Sequence, residues 1–244
     1  MEAGERTYVG REPIDIEEAR RQHRSYVEVL RRCGVDTVVE LAANRDLPDS
    51  TFIEDTAVVL DEVAIQASMG AEARRPEPAG IVPALREFRE IVPIERPATL
   101  EGGDVVLAGR TLIVGLTSRT NMAGVRALEA IVAPFGYGVR AVTPRGALHL
   151  KTACCSVDDT TLLINPAWID KKDLHGFEII PNVATEPFGA EVTRVGKSLV
   201  MAAETPRTAD VLRARGHDVR TTPLSEFAKA EGGPTCLSLI FRAR

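Results

Sequence analysis

The feature that most constrains this 244-residue chain is a segment shape that recurs along it: a polar residue, a short apolar run, a turn and a second short apolar run. FIEDTAVVLDEVAIQA (52–67), LEGGDVVLAGRTLIVG (100–115), LHLKTACCSVDDTTLLIN (148–165), EVTRVGKSLVMAA (191–203) and TCLSLIF (235–241) all fit it. Asp or Gly stands between the apolar runs at Leu60-Asp61-Glu62, Ala108-Gly109-Arg110, Val157-Asp158-Asp159 and Val195-Gly196-Lys197, which is hairpin chemistry. Helical periodicity fills the intervals. It runs over Ile14–Cys33 up to Gly34, over Asn121–Pro134 with Asn121 as the cap, and over Pro206–Gly216. Glu54, Glu101, His149 and Cys236 mark equivalent points, separated by 47, 48 and 87 residues, so the period is roughly 45. A unit of that size holding a hairpin, a further strand and a helix predicts about five units packed around an axis, in one domain over 1–244. A two-layer α/β domain with hairpin decorations is the alternative.

Composition narrows the function. The net charge is −5, no Lys/Arg block occurs, and one Trp, three Tyr and seven Phe are few, so a nucleic-acid partner is not expected. No run approaches the roughly 18 apolar residues a membrane span needs, and MEAGERTYVGREP lacks the apolar stretch of a secretory signal, so the expectation is a cytoplasmic protein. Cys33, Cys154, Cys155 and Cys236 form no CxxC pair, which predicts free thiols. No HxxxH or CxxC ligand pair points to a metal, and no GxGxxG, P-loop, GxSxG or HExxH points to a cofactor or to those hydrolase classes. Neither metal nor cofactor is expected.

Several residues could carry chemistry. Cys236 follows Gly232, Gly233 and Pro234 in EGGPTCLSLIF, where glycines admit a ligand and a rigid turn fixes the sulfur; a small buried hydrophobe at a strand start is the plain reading. His149 lies between two leucines at the start of an apolar strand, placed to exchange a proton or to serve as a hydrogen-bonded core histidine. Asp49, Glu54, Asp55, Glu101 and Asp104 enter two different repeats and could converge on one pocket suited to a cation, or serve as caps and turn acceptors. Arg74 and Arg119 follow the first two hairpins and could each clamp a carboxylate, while Arg75 reads as a solvated arginine.

The ordered set DSTFIED (49–55), GAEARR (70–75), LEGGD (100–104), TSRTN (117–121), HLKT (149–152) and EGGPTCLSL (231–239) resembles the dimethylarginine dimethylaminohydrolases. The resemblance spans about Ile14 to Phe241. It implies the pentein fold, a five-fold pseudosymmetric α/β-propeller, and a small-molecule substrate. By the same resemblance Cys236 is the nucleophile, His149 the general acid/base, and Glu101 its support. Asp55, next to Glu54, binds the guanidinium; Asp49 and the Ala230 carbonyl bind the α-amino group; Arg74 and Arg119 bind the α-carboxylate. The implied reaction converts an Nω-methylated L-arginine to L-citrulline and methylamine or dimethylamine through a thiouronium on sulfur, in a monomer or homodimer. Proximity of the cationic substrate or of His149 is expected to lower the thiol pKa.

Two features qualify the substrate. Arginine and agmatine deiminases and amidinotransferases carry His-x-Asp, whereas this chain has His149-Leu150-Lys151, which leaves room at the far guanidine nitrogen for methyl groups. Only 13 residues precede Ile14, so the substrate-covering loop of the family is expected to be missing or short. Other ω-substituted arginines, arginine or agmatine are the alternative substrates, and a non-catalytic binding module of the same fold is the alternative class.

Overall fold

The computed structural model describes residues 1, 4–42, 44 and 46–243. After helix α1 (Ile16–Arg32), capped by Asp15 whose side chain accepts from the Glu18 amide, the chain builds three-stranded sheets one after another. The first holds β1 (Ala57–Val59), β2 (Ala64–Gln66) and, beyond helix α2 (Glu77–Arg86), β3 (Ile91–Pro93). The second holds β4 (Val105–Ala108), β5 (Thr111–Gly115) and, beyond α3 (Met122–Val132), β6 (Gly138–Val142). A short helix α4 (Leu150–Ala153) leads into the third, β7 (Cys154–Ser156), β8 (Thr161–Ile164) and β9 (Glu178–Pro181). The fourth is β10 (Thr193–Val195), β11 (Ser198–Ala202), α5 (Pro206–Ala214) and β12 (Asp218–Thr222), after which comes α6 (Ser225–Ala228).

In every sheet the first pair is an antiparallel hairpin and the third strand joins the second in parallel. A two-residue turn suffices for the hairpin, but a parallel neighbour needs a crossover, which in three of the four sheets contains a helix. The middle strands begin at Ala64, Thr111, Thr161 and Ser198, spacings of 47, 50 and 37 that bracket the predicted period. Being paired on both edges and covered on both faces, they read as unbroken apolar runs such as Leu162-Leu163-Ile164, all at most 1% exposed.

The period-2 alternation of these strands ties each sheet to both neighbours. Leu112 and Val114 pack with Ile65 and Leu100, while Ile113 between them packs with Leu150, Leu162 and Ile164. Leu163 packs the other way, with Leu199, Met201 and Leu212, and Val200 turns toward Tyr26, Leu30 and Phe227 of α1 and α6. Leu237 joins that last cluster, and Leu239 and Phe241 pack against Ala57 and Ala64 of the first sheet and Ile81 of α2.

Two sequence expectations change. TCLSLIF is not a strand: the Cys236 carbonyl accepts a single hydrogen bond from the Glu54 amide at 3.2 Å, and the segment leaves a turn instead of entering a ladder. His149 does not open a strand but occupies the cap position before α4, because the carboxylate of Asp104 accepts from the Leu150 amide at 2.9 Å and pins the first turn of a helix there. The three predicted helices are present, as Ile16–Arg32, Met122–Val132 and Pro206–Ala214. No helix among the described residues is long and apolar enough to cross a membrane.

Candidate active site

Polar residues flanking the first three hairpins and residues of the C-terminal turn meet in one cleft. Seven of the nine predicted site residues line it: Asp49, Asp55, Arg74, Arg119, His149, Ala230 and Cys236, joined by Glu5, Phe52, Leu148 and Glu231. The other two sit directly behind. Glu101, fully buried, bonds His149 Nε2 through Oε2 at 2.7 Å, and Glu54 bonds the Lys151 ammonium at 2.6 Å.

Backbone geometry aims these groups. Glu101 Oε1 accepts from the amides of Gly70 and Ala71 at 2.9 and 3.3 Å, which fixes its other oxygen on the histidine. Asp55 sits on a 3-10 turn (Ile53–Thr56), where its Oδ1 accepts from the Gly103 amide at 3.1 Å and lies 3.7 Å from His149 Nδ1. The glycines of LEGGD are required by this closeness. A Cβ on Gly102 would lie 2.1 Å from the Glu54 carbonyl oxygen, and one on Gly103 would lie 2.4 Å from Asp55 Oδ1. Asp104 holds the Leu150 amide and accepts from the Thr117 hydroxyl at 2.7 Å, so it positions the segment that carries the histidine. Burial pushes its carboxyl up to about 6.

Burial opposes charge on His149, but Asp55, the bond to Glu101 and the more distant Asp104 outweigh it and raise its pKa to about 9. At neutral pH the ring is therefore an imidazolium. Asp55 is also desolvated, yet His149 and Arg74 beside it keep its carboxyl below the ordinary value. The Cys236 thiol moves opposite to the sequence expectation: burial, and then Glu191, Asp55 and Glu54, push its pKa well above the usual range. These causes favour the thiol form of the sulfur in the substrate-free protein.

The two arginines are not equivalent. Arg74 spends its donors on Asp55 at 2.6 Å, on Glu77, and on the Asp49 and Phe52 carbonyls, with its guanidinium 5% exposed. Arg119 has an Nη1 with no hydrogen-bond partner, 3.8 Å from Glu101 Oε1. A residue that the sequence reading did not use is Glu191, whose Oε1 lies 3.5 Å from Cys236 Sγ. The signal was available, since Glu191 precedes the fourth hairpin as Glu54 and Glu101 precede the first two. Among the described residues Asp55, Glu101 and His149 are the one group of possible metal ligands, within 4.8 Å of one another; their mutual hydrogen bonding and charge pairing account for that closeness.

The N-terminal segment covers the mouth. The Glu5 amide donates to Asp49 Oδ2 at 2.9 Å, and the amides of Thr7 and Tyr8 donate to the Glu231 carboxylate at 2.7 and 2.5 Å. A short strap is present despite the few residues before α1.

Known proteins resemble the chain along most of its length. The family described as "N,N dimethylarginine dimethylhydrolase, eukaryotic" matches residues 6–176. A dimethylarginine dimethylaminohydrolase of Streptomyces coelicolor is 40% identical, covering 97% of this chain and 91% of its own, and that of Pseudomonas aeruginosa is 32% identical over 93% and 90%. The structure of a Cys-to-Ser mutant of the Pseudomonas enzyme with citrulline superposes with a TM-score of 0.90 at 32% identity, over 93% of this chain and 90% of that one. The N-terminal domain of the cyanobacterial arginine dihydrolase ArgZ shares the fold, with a TM-score of 0.82 at 20% identity, over 93% and 87%. Fold and relatives together define a hydrolase that acts on guanidino compounds. Within that class, the chain belongs to the dimethylarginine dimethylaminohydrolase family.

Proposed function

We propose that the chain hydrolyses an Nω-methylated L-arginine to L-citrulline and methylamine or dimethylamine, with Cys236 as nucleophile. The observation that carries this reading is the opposition, across one cleft, of Cys236 to an imidazolium of His149 held between Glu101 and Asp55. A cationic head fits the carboxylates, and an amino-acid tail fits Arg119, with Arg74 beside it, and Asp49 and the Ala230 carbonyl. The relatives named above are called by this activity, and one of their structures holds citrulline.

The steps follow from the groups present. The substrate guanidinium replaces the missing positive charge near the sulfur and favours the thiolate, which adds to the guanidine carbon. No oxyanion develops, so carboxylates that hold the guanidinium take the role that donors play in acyl transfer. His149 Nε2 is tied to Glu101, which leaves Nδ1 to protonate the departing alkylamine. The neutral imidazole then deprotonates a water that attacks the thiouronium carbon, and citrulline leaves.

Lys151 stands where deiminases place a second guanidinium-binding aspartate, and its charge is spent on Glu54. That leaves Asp55 to grip the guanidinium from the cleft wall without a second aspartate at the far nitrogen, which favours a methylated nitrogen. The same reading takes residues 1–244 as one catalytic domain and the four sheets, with α1 and the C-terminal segment as a fifth unit, as a five-fold propeller. Citrulline formation from asymmetric dimethylarginine, monomethylarginine, arginine and agmatine, with Cys236→Ser as blank, tests the function. Turnover of the methylated substrates is expected; preference for arginine or agmatine overturns the inference from Lys151, and Cys236→Ser retaining activity overturns the nucleophile.

A further inference from the structure

The cysteine has a titratable neighbour that the reaction above leaves unused. Glu191 lies just before β10, is 5% exposed, and its Oε1 accepts from the Thr235 hydroxyl at 3.0 Å and from Cys236 Sγ at 3.5 Å. Gly233 is folded directly over this carboxylate: a Cβ there would lie 2.2 Å from Oε1 and 2.4 Å from Oε2. The turn before the nucleophile is therefore closed around Glu191, with one oxygen held against the reacting sulfur.

The charges around the pair are mixed. Glu54 acts on both Glu191 and Cys236, Asp55 acts on Cys236, Lys151 neutralises Glu54, and the Cys155 thiol faces Glu191 from β7. Burial, then repulsion from Glu54, pushes Glu191 up to about 7 against the bonds from Thr235 and Cys236. Two buried acids in contact exchange a proton more readily than either exchanges one with water, and they titrate as a pair.

We propose that Glu191 is a catalytic residue, the base that takes the Cys236 thiol proton when a guanidinium enters and returns it when product leaves. The inference rests on the hydrolase reading above. The S–H bond breaks, its electron pair stays on sulfur, and its proton passes to Glu191 Oε1. The states thiol–carboxylate and thiolate–carboxylic acid carry the same net charge, so no proton has to leave the buried site. The step moves the negative charge from Glu191 onto the atom that faces the cationic substrate, where it is better stabilised. When water has displaced the sulfur from the guanidine carbon, the thiolate recovers the proton from Glu191.

The test measures the pH dependence of Cys236 alkylation by iodoacetamide on the substrate-free protein, and of kcat/KM for dimethylarginine, in wild type, Glu191→Gln and Glu191→Asp. The wild-type rise is expected near the Glu191 value of about 7. Glu191→Gln should move it up by about one pH unit or more, because the thiol must then titrate alone, and lower kcat/KM at neutral pH by roughly tenfold or more. Glu191→Asp should keep the rise near its wild-type position with a reduced plateau. A rise that moves to lower pH in Glu191→Gln overturns the proposal, since Glu191 then acts only by repelling the thiolate. A rise that stays in place while rates fall at every pH also overturns it, leaving Glu191 as a clamp on the turn. Alkylation uses no substrate, so a Glu191-dependent rise in a protein inert toward methylated arginine refutes the hydrolase reading alone.

Discussion

Replacing Glu101 by Gln isolates the charge that sets the acid form of His149. The ring is raised from 6.5 to about 9 although burial pulls the other way, and the bond to Glu101 at 2.7 Å is the one direct hydrogen bond among the raising causes. A hydrogen bond between charged groups contributes roughly 1.5–3 kcal/mol, and at 1.36 kcal/mol per pH unit its loss should lower the histidine by about one to two units. Gln is nearly isosteric, and its carbonyl oxygen can still accept from the Gly70 and Ala71 amides that Oε1 now holds, so the fold should persist. Imidazolium is the acid, which means activity is present below the histidine pKa and lost as pH rises through it. The wild-type alkaline limb of kcat/KM is therefore expected near 9, and that of Glu101→Gln between about 7 and 8. Citrulline release followed from pH 6 to about 10 measures both limbs, and the His149 ring proton resonances report the same ionisation directly. A Glu101→Gln profile that is lower everywhere but keeps its alkaline limb near 9 would refute the argument, because Glu101 would then orient the ring without stabilising its charge.

Two further outcomes follow from the same contacts. Lys151→Met should lower unfolding stability by about 3–5 kcal/mol in urea titration, since it leaves Glu54 buried without a counter-charge, and adding Glu54→Gln should recover much of the loss. Glu231→Ala removes the acceptor of the Thr7 and Tyr8 amides, so those amides should exchange hydrogen faster and KM for dimethylarginine should rise several-fold with kcat less affected.

What the sequence determined by itself was local or periodic. Alternation and turn chemistry over residues 105–115, 154–164 and 193–202 were enough for the hairpins, because each strand pairs first with its chain neighbour. Asn121 and Asp15 mark helix starts with side chains that bond amides three residues on. The repeat placed Asp55 and His149 ahead of the first and third hairpins and Arg74 and Arg119 beyond the first two, and all four line one cleft. Only the tertiary structure decided which groups are already engaged. Arg74 looks like a free anion clamp in the sequence, but burial at 5% obliges it to pair, and Asp55 and Glu77 are the carboxylates within reach. The thiol's rise, the strap over Asp49 and the contact between Glu191 and Cys236 depend on residues 44 to 224 positions apart. A carboxylate's effect on a sulfur is set by angstroms and by the water excluded between them, and neither is written in the spacing of residues along the chain.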